Sequence, residues 1–178
     1  MTMNNKSIKP IISQKEIKTE VKKLGKQISS DFKGRDLVII SVLKSSVYFL
    51  TDLSRSISIP VKIDFLEIER IPNTEADSGI VKITRDLNLS LSDKDVLLLD
   101  VIINTGLTHG YLLQNLKSRR PASINICTLL NNPANRLVEL PISYYGFEIS
   151  DVFVVGYGLD DNEKYRQLPF IGKKKEND

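Results

Sequence analysis

Cysteine, histidine and tryptophan are scarce in this chain of 178 residues, which has one cysteine, one histidine and no tryptophan. A single cysteine excludes an internal disulfide and a zinc site built from cysteines. Cys127 lies in the apolar run SINICTLL, so we expect a buried thiol in a strand and not a nucleophile. The sequence identifies no partner for His109, so we expect this side chain to be exposed or bonded locally.

Long apolar runs and a strong charge bias are also missing. No uninterrupted apolar stretch approaches the roughly 20 residues that cross a bilayer, and the start, MTMNNKSIKP, lacks the apolar core of a signal peptide. The net charge is +3, and much of the excess comes from lysines in a predicted disordered tail, residues 173–178. We therefore expect a soluble cytoplasmic protein whose partners include neither a membrane nor a nucleic acid.

The remaining composition is that of one globular domain, which we place at residues 1–172. The segment SQKEIKTEVKKLGKQISSDF predicts an amphipathic helix, and Ser13 and Glu16 form a capping-box pattern at its start. SSVYFLTDLSRSI and THGYLLQNLKSR predict two more helices. Predicted strands are DLVIISVL, VKIDFLEIER, GIVKIT, DVLLLDVII, SINICTLLN, YYGFEI and VFVVGYG. Their alternation with helices predicts the α/β class, with a mainly parallel twisted sheet and helices on both faces.

The segment VLLLDVIINTGLTHGYLL, residues 96–113, combines the strongest predicted strand with a tight turn and the start of a helix. Gly106 permits a close approach of backbone to ligand, and Thr105 and Thr108 offer hydroxyl groups. Exposed amides at the positive end of a helix favour an anion such as phosphate. A plain strand-to-helix turn with a threonine cap is the alternative that these local features leave open.

Beyond local patterns, almost the whole chain resembles the bacterial hypoxanthine-guanine phosphoribosyltransferases. The resemblance is carried by DLVIISVLKSSVYFLTDLSRSI, IDFLEI, SGIVKI, KDVLLLDVIINTGLTHGYL, ICTLLNNPANR and YYGFEISDVFVVGYGLDDNEKYRQLPFIG. It implies the type I phosphoribosyltransferase fold with a small hood and a mobile loop. It also implies transfer of a phosphoribosyl group from 5-phosphoribosyl diphosphate to a 6-oxopurine, with Mg²⁺, in a homodimer or homotetramer.

Many positions align with the functional residues of this family. The resemblance places the 5'-phosphate on Thr105, Gly106, Leu107 and Thr108. It places pyrophosphate on the loop Leu43, Lys44 and Ser45, which in the family commonly contains a non-proline cis peptide, and on the distant cation Arg166. The purine would meet Phe153, Val154, Leu159 and Asn132. The metal would meet Asp160 and Asp100.

Other positions depart from the family pattern, and they concern the ribose and the base. Of two adjacent carboxylates that usually hold the ribose, Asp100 is present and Val101 replaces the second. Asn104 replaces an aspartate that handles the proton of the purine imidazole ring, and an amide cannot accept a proton at neutral pH. Asn132 replaces a lysine that contacts the 6-oxo group. A Ser-Tyr pair of the mobile loop aligns with Arg70 and Ile71, and Ser45 replaces a glycine.

The residues alone leave two functions open. One is a working purine phosphoribosyltransferase, slow or altered in base preference, with Asn104 and Asp100 at the catalytic positions. The alternative is a catalytically impaired paralogue that binds a nucleotide or phosphoribosyl ligand and acts as a regulatory or assembly partner. The retained phosphate positions fit both functions, whereas the changes at Val101, Asn104 and Asn132 favour impaired activity.

Overall fold

The structure, a computed structural model, describes residues 8–71 and 80–174. Within these ranges the chain forms nine strands and three α-helices: β1 (Ile8–Ile12), α1 (Gln14–Asp31), β2 (Leu37–Leu43), α2 (Val47–Ser56), β3 (Val61–Ile71), β4 (Ile80–Arg85), β5 (Asp95–Ile103), α3 (Leu107–Lys117), β6 (Ser123–Asn131), β7 (Ile142–Glu148), β8 (Val154–Val155) and β9 (Ile171–Lys174). A short 3₁₀ helix, Pro133–Asn135, follows β6. No helix in the described ranges is long and apolar enough to cross a membrane.

A six-stranded sheet with the order β4-β3-β2-β5-β6-β7 forms the centre of the molecule. Its strands are parallel except for β4, which pairs antiparallel with β3 at one edge. The predicted mainly parallel sheet is confirmed, and YYGFEI forms most of the edge strand β7. The long apolar run of β5 follows from its position, because strands flank it on both sides and helices cover both faces.

Helices cover both faces of the sheet, as predicted. Alternate residues of β5 enter two separate apolar clusters because successive side chains of a strand point to opposite faces. One cluster joins Leu97, Leu99 and Val101 to α1 and α2. The other joins Val96 and Leu98 to Leu112, Leu113 and Leu116 of α3. The alternation breaks after Val101, because Ile103 enters this second cluster and Ile102 packs on the first.

The start of α1 is fixed by the predicted capping box. The Ser13 N–H donates to Glu16 Oε2 at 2.8 Å, and the Glu16 N–H donates to Ser13 Oγ at 3.3 Å. These bonds satisfy backbone donors that a helix start otherwise leaves unpaired. The buried stripe of α1 then packs on the sheet through Ile17, Val21, Leu24 and Ile28.

A second, three-stranded sheet with the order β1-β9-β8 corresponds to the hood that the resemblance implies. Local patterns predicted neither β1 nor β9, and VFVVGYG contributes only the two-residue strand Val154–Val155. Lys173 and Lys174 pair with Lys9 and Ile8 in this sheet, so the disordered tail predicted from residue 173 is wrong for these two residues. Residues 175–178 lie outside the described part of the chain.

The predicted mobile loop falls largely outside the described residues. Its polar core, residues 72–79, is not described, and the same holds for the side chains of Arg70 and Ile71 at the end of β3. The expectation that these two residues replace the Ser-Tyr pair therefore stays a prediction. The strand predicted beyond the loop, GIVKIT, is present as β4.

Candidate active site

The turn between β5 and α3 lies at the carboxyl end of the central strand, where ligands bind in sheets of this kind. Gly106 has φ +82°, a left-handed conformation that glycine adopts without a steric cost. A Cβ atom at this position would lie 2.9–3.1 Å from side-chain atoms of Leu140, Val138 and Arg136. Backbone conformation and close packing therefore both require glycine here.

The carbonyl groups of this turn are bound from one side. Asn104 O accepts from Arg136 Nε at 3.0 Å, and Thr105 O accepts from the Leu137 N–H at 2.9 Å. In a planar trans peptide the N–H points opposite to the C=O. The N–H groups of Thr105 and Gly106 therefore point away from Arg136 and Leu137. No described side chain caps the start of α3, which leaves its first-turn amides to other acceptors.

Two neighbouring cavities lie beside this turn. The first has a volume of about 300 Å³, and its lining includes Asp100, Asn104, Thr105, Gly106, Thr108 and His109. The second has a volume of about 760 Å³, and its lining includes Lys44, Glu67, Glu69, Asp160, Glu163 and Arg166. Leu43, Ser45 and Ile68 line both cavities, so the two spaces adjoin. A further cavity of about 510 Å³, beside α1 and α2, contains none of the predicted site residues.

The loop after β2 separates the two cavities. Its Leu43–Lys44 peptide bond is cis, which confirms the prediction from the family pattern. Gly158, with φ +102°, packs directly on this loop, and a Cβ atom there would collide with the backbone oxygen of Ser45. The hydroxyl of Ser46 bonds Ser41 Oγ at 2.6 Å beneath the loop. The loop is thus fixed from below and from the side.

Two cations of the second cavity are held by carboxylates. Arg166 Nη1 lies 2.9 Å from Asp160 Oδ1 and also donates to Gly158 O at 2.8 Å. Glu163 lies 3.2 Å from Arg166 and 3.5 Å from Lys44 Nζ. The hydrogen bond from Arg166 and the nearby positive charges lower the pKa of the Glu163 carboxyl. Lys44, which was predicted from one motif, and Asp160 and Arg166, which were predicted from another, therefore lie in one cluster.

Asp100 and His109 form a buried pair in the first cavity. Asp100 Oδ2 lies 3.0 Å from His109 Nε2, and Oδ1 accepts from the Val101 N–H at 2.7 Å. Ser45 Oγ contacts the same Oδ1 at 3.4 Å. His109 was expected to be exposed or bonded locally. Exposure is excluded, because only 4% of its surface is accessible, and its partner is Asp100, nine residues away on β5. The turn folds α3 back toward β5 and brings the histidine to the carboxylate.

Val101 does not line either cavity. It is 0% exposed and belongs to the apolar cluster beneath α1 and α2, on the face of β5 opposite to Asp100. The residue in the position of the second ribose carboxylate is therefore a core residue in this chain.

Asn104 and Asn132 contact each other, although 28 residues separate them. Asn132 Nδ2 donates to Asn104 Oδ1 at a long 3.4 Å, and the Asn132 N–H donates to Ile103 O at 3.0 Å. Asn104 is exposed to the first cavity, whereas Asn132 is buried behind it. Two positions that depart from the family pattern thus form one unit.

The profile of the phosphoribosyl transferase domain matches residues 8–162. The chain belongs to the phosphoribosyltransferase family. A hypoxanthine-guanine phosphoribosyltransferase of Dictyostelium discoideum is 41% identical over 170 residues, which cover 93% of this chain and 94% of the relative. The bifunctional protein TilS/HprT of Listeria monocytogenes is 39% identical over 96% of this chain, which spans only 26% of that protein's length.

Solved phosphoribosyltransferase structures agree with this assignment. A crystal structure of a hypoxanthine phosphoribosyltransferase from Staphylococcus aureus has a TM-score of 0.92 and 37% identity, and the match covers 98% of this chain and 95% of the other. The type I phosphoribosyltransferase fold predicted from the sequence is confirmed.

Phe153, which was predicted to meet the purine, is 61% exposed and therefore has a free aromatic surface. Val154 and Leu159, predicted for the same ligand, are buried. The Leu159 N–H already donates to Gly156 O at 3.0 Å, and Leu159 O accepts from Gly156 N at 2.9 Å. A purine would therefore have to share the backbone groups of Leu159 with Gly156.

The predicted metal ligands lie in separate cavities, Asp100 in the first and Asp160 in the second. Among the described residues no three His, Cys, Asp or Glu side chains gather into a metal cluster. Mg²⁺ is commonly bound by one or two carboxylates together with substrate phosphates. The donor set fits that mode, in which the phosphates complete the coordination.

Sequence patterns missed two groups of site residues. Glu67, Glu69 and Glu163 line the second cavity; Glu67 and Glu163 fell in quoted motifs, but none of the three was assigned a role. Arg136 and Leu137 bind the carbonyl groups of the turn between β5 and α3, and burial lowers the pKa of the Arg136 guanidinium. Arg136 ends the quoted motif ICTLLNNPANR, which was the available signal for this residue.

Proposed function

We propose that this chain transfers the 5-phosphoribosyl group of 5-phosphoribosyl diphosphate to hypoxanthine or guanine, in purine salvage. The bond from C1' to the pyrophosphate oxygen breaks, and its electron pair leaves with pyrophosphate. A bond from the purine N9 to C1' forms, and the imidazole proton is released. The orientation of the Thr105 and Gly106 amides is the observation that carries this proposal, because it supplies a seat for the 5'-phosphate.

The two adjoining cavities support a division of the substrate. The 5'-phosphate would bind the turn Thr105–Thr108 in the first cavity, and pyrophosphate would bind Lys44 and Arg166 in the second. Leu43 and Ser45 line both, so C1' would lie beside them, with the reacting atoms held in line. Phe153 would stack on the purine, and its exposed ring supports that role.

Mg²⁺ fits the carboxylates Asp160 and Asp100 and would neutralise charge on the departing pyrophosphate. Asp100 also lies close to where the sugar develops positive charge, and its hydrogen bonds to Val101 N–H and His109 hold the carboxylate in place. Asn104 cannot accept the imidazole proton, so water has to accept it. We therefore expect turnover that is slower by roughly 10²–10⁴ than with a carboxylate at this position.

Two of the proteins compared above, from Dictyostelium discoideum and Staphylococcus aureus, are named as phosphoribosyltransferases, and nothing among the relatives favours the alternative of a binding paralogue. A cytoplasmic location and assembly into a homodimer or homotetramer remain part of the proposal. Light scattering of the purified protein tests the assembly.

Turnover of hypoxanthine, guanine and xanthine with 5-phosphoribosyl diphosphate and Mg²⁺ tests the proposed activity. We expect product with hypoxanthine or guanine, and binding of their 5'-monophosphates by calorimetry. Nucleotide binding without any turnover would favour the paralogue function, and absence of both at millimolar ligand would contradict the proposed site.

A further inference from the structure

Strand register explains why Asn104 and Asn132 meet. β5 and β6 are parallel, and Ile103 pairs with Asn131 as their last registered pair. The residue that follows each strand is an asparagine, Asn104 after β5 and Asn132 after β6, so the two amides lie side by side at the carboxyl edge of the sheet. The sequence shows neither the register nor this contact.

The contact has a direction. Asn132 uses its amide nitrogen, because Nδ2 donates to Asn104 Oδ1. An asparagine amide carries its oxygen on one side and its two N–H donors on the other. With Oδ1 directed at Asn132, the amino group of Asn104 is directed away from Asn132. Asn104 itself lines the first cavity.

Asn132 itself is held firmly and serves few other partners. It is 2% exposed, and its backbone N–H is tied to Ile103 O at 3.0 Å. Its Oδ1 has no hydrogen-bond partner among the described residues. Removing that oxygen therefore breaks no protein hydrogen bond, and the contact with Asn104 is the one that a substitution of the amide would change.

We propose that Asn132 is a positioning residue that turns the amino group of Asn104 toward the ligand, so that the site selects a purine whose imidazole nitrogen N7 is a bare acceptor. This inference rests on the proposed function, which places a purine imidazole ring at Asn104. A nucleotide has such a bare N7. A free base that reacts through N9 carries its proton on N7. The N7–H of the base and the amino group of Asn104 are then two donors that face each other. The site accordingly favours the nucleotide product over the reactive form of the base.

Two substitutions of Asn132 separate this role from a merely structural one. Asn132→Asp replaces the donor by an acceptor, so the Asn104 amide turns round and presents its oxygen to the ligand. Asn132→Leu has a similar size and removes both polar groups, so Asn104 is free to adopt either orientation. Asn125→Asp is the matched control, because it makes the same change on β6 near the other end of the strand, where Asn125 accepts from Ser143.

The test compares the affinities for inosine 5'-monophosphate and its 7-deaza analogue, which has C–H in place of N7, by calorimetry. The natural protein and Asn125→Asp should prefer the natural nucleotide by about 3- to 10-fold, the size of one neutral hydrogen bond. Asn132→Leu should reduce the preference for the natural nucleotide. Asn132→Asp should abolish this preference, and the same variant should have a higher kcat/KM for hypoxanthine. Thermal unfolding confirms that each variant is folded.

Equal affinities of the natural protein for the two nucleotides would overturn the inference and leave the proposed function intact. An unchanged preference in folded Asn132→Leu would also overturn it. Failure of both nucleotides to bind would instead contradict the proposed function, and the inference would fall with it.

Discussion

The two ends of β5 carry carboxylates in very different surroundings. At the amino end, Asp95 is bound by Arg35, whose Nε lies 2.8 Å from Oδ2, and by Ser123 Oγ at 2.6 Å. At the carboxyl end, Asp100 and Asn104 line a cavity beside a turn whose amides lack a side-chain cap. Both carboxylates are hydrogen-bonded to protein groups, but only Asp100 also lines a cavity, and the turn amides beside it remain available to a ligand.

The largest effect is expected at the carboxyl end. Asn104→Asp supplies a carboxylate that can accept the imidazole proton, and we expect kcat for hypoxanthine to rise by about 10² or more. Asn104 is exposed, so the free energy of unfolding should change by less than about 0.5 kcal/mol. Steady-state kinetics and thermal unfolding measure the two quantities. An unchanged kcat would show that proton removal does not limit the reaction.

Restoring the second carboxylate should fail in this chain. Val101 is fully buried among apolar side chains, so Val101→Asp places an unpaired charge in the core and should lower the free energy of unfolding by about 3 kcal/mol or more. Denaturant unfolding of Val101→Asp beside Val101→Thr measures this cost. A stable, more active Val101→Asp protein would mean that residue 101 can turn toward the ligand.

Glycine at the phosphate turn should matter for binding more than for folding. Gly106→Ala strains a left-handed residue and crowds Leu140, Val138 and Arg136, so we expect affinity for purine 5'-monophosphates to fall by roughly 10-fold or more. Gly34→Ala is the matched control, because Gly34 has φ +78° with open space around it. Similar affinities in the two variants would argue against a phosphate seat at Gly106.

Loss of the carboxylate at the amino end should change stability alone. Burial on its own would raise the pKa of Asp95, but the hydrogen bonds from Arg35 and Ser123 outweigh it and hold the pKa below its usual range. A depressed pKa stabilises the fold above the pKa of the unfolded chain, and this contribution disappears as pH falls through the folded pKa. Asp95→Asn should therefore cost about 1–3 kcal/mol near neutral pH and progressively less below about pH 4.

Unfolding of Asp95→Asn as a function of pH, beside the exposed Asp151→Asn as a control, measures that difference. Activity per folded molecule should stay at the level of the natural protein. A pH-independent loss of stability, or a selective loss of activity, would remove the distinction between the two ends of β5.

The elements that the sequence predicted best are those with strong local patterns. The continuous apolar run of β5 and the capped amphipathic stripe of α1 identify their elements without knowledge of the rest of the fold. β1 and β9 were missed because they are stabilised by pairing between opposite ends of the chain, such as Ile8 with Lys174. Such a pairing leaves little trace in either short segment.

In the site, residue types were predicted better than contacts. The resemblance identified Asn104, Asn132 and Asp100 as site residues. His109 lay in a quoted motif, yet the sequence indicated no contact between any two of these four residues. The Asn104–Asn132 contact depends on the register of β5 and β6, and the Asp100–His109 bond depends on how the turn folds α3 back. Both are tertiary facts that local spacing does not specify.

The central claim is that backbone amides from Thr105 to Thr108 bind the terminal phosphate of a ribose 5-phosphate group. Amide ¹H–¹⁵N spectra recorded during titration with ribose 5-phosphate test it directly, because the ligand lacks the purine and the pyrophosphate. The account predicts saturable shifts of the amides from Thr105 to Thr108 in the natural protein and in Gly34→Ala, and weaker ones in Gly106→Ala. Shifts confined to the cavity beside α1 and α2, with the turn unchanged at saturation, would contradict it.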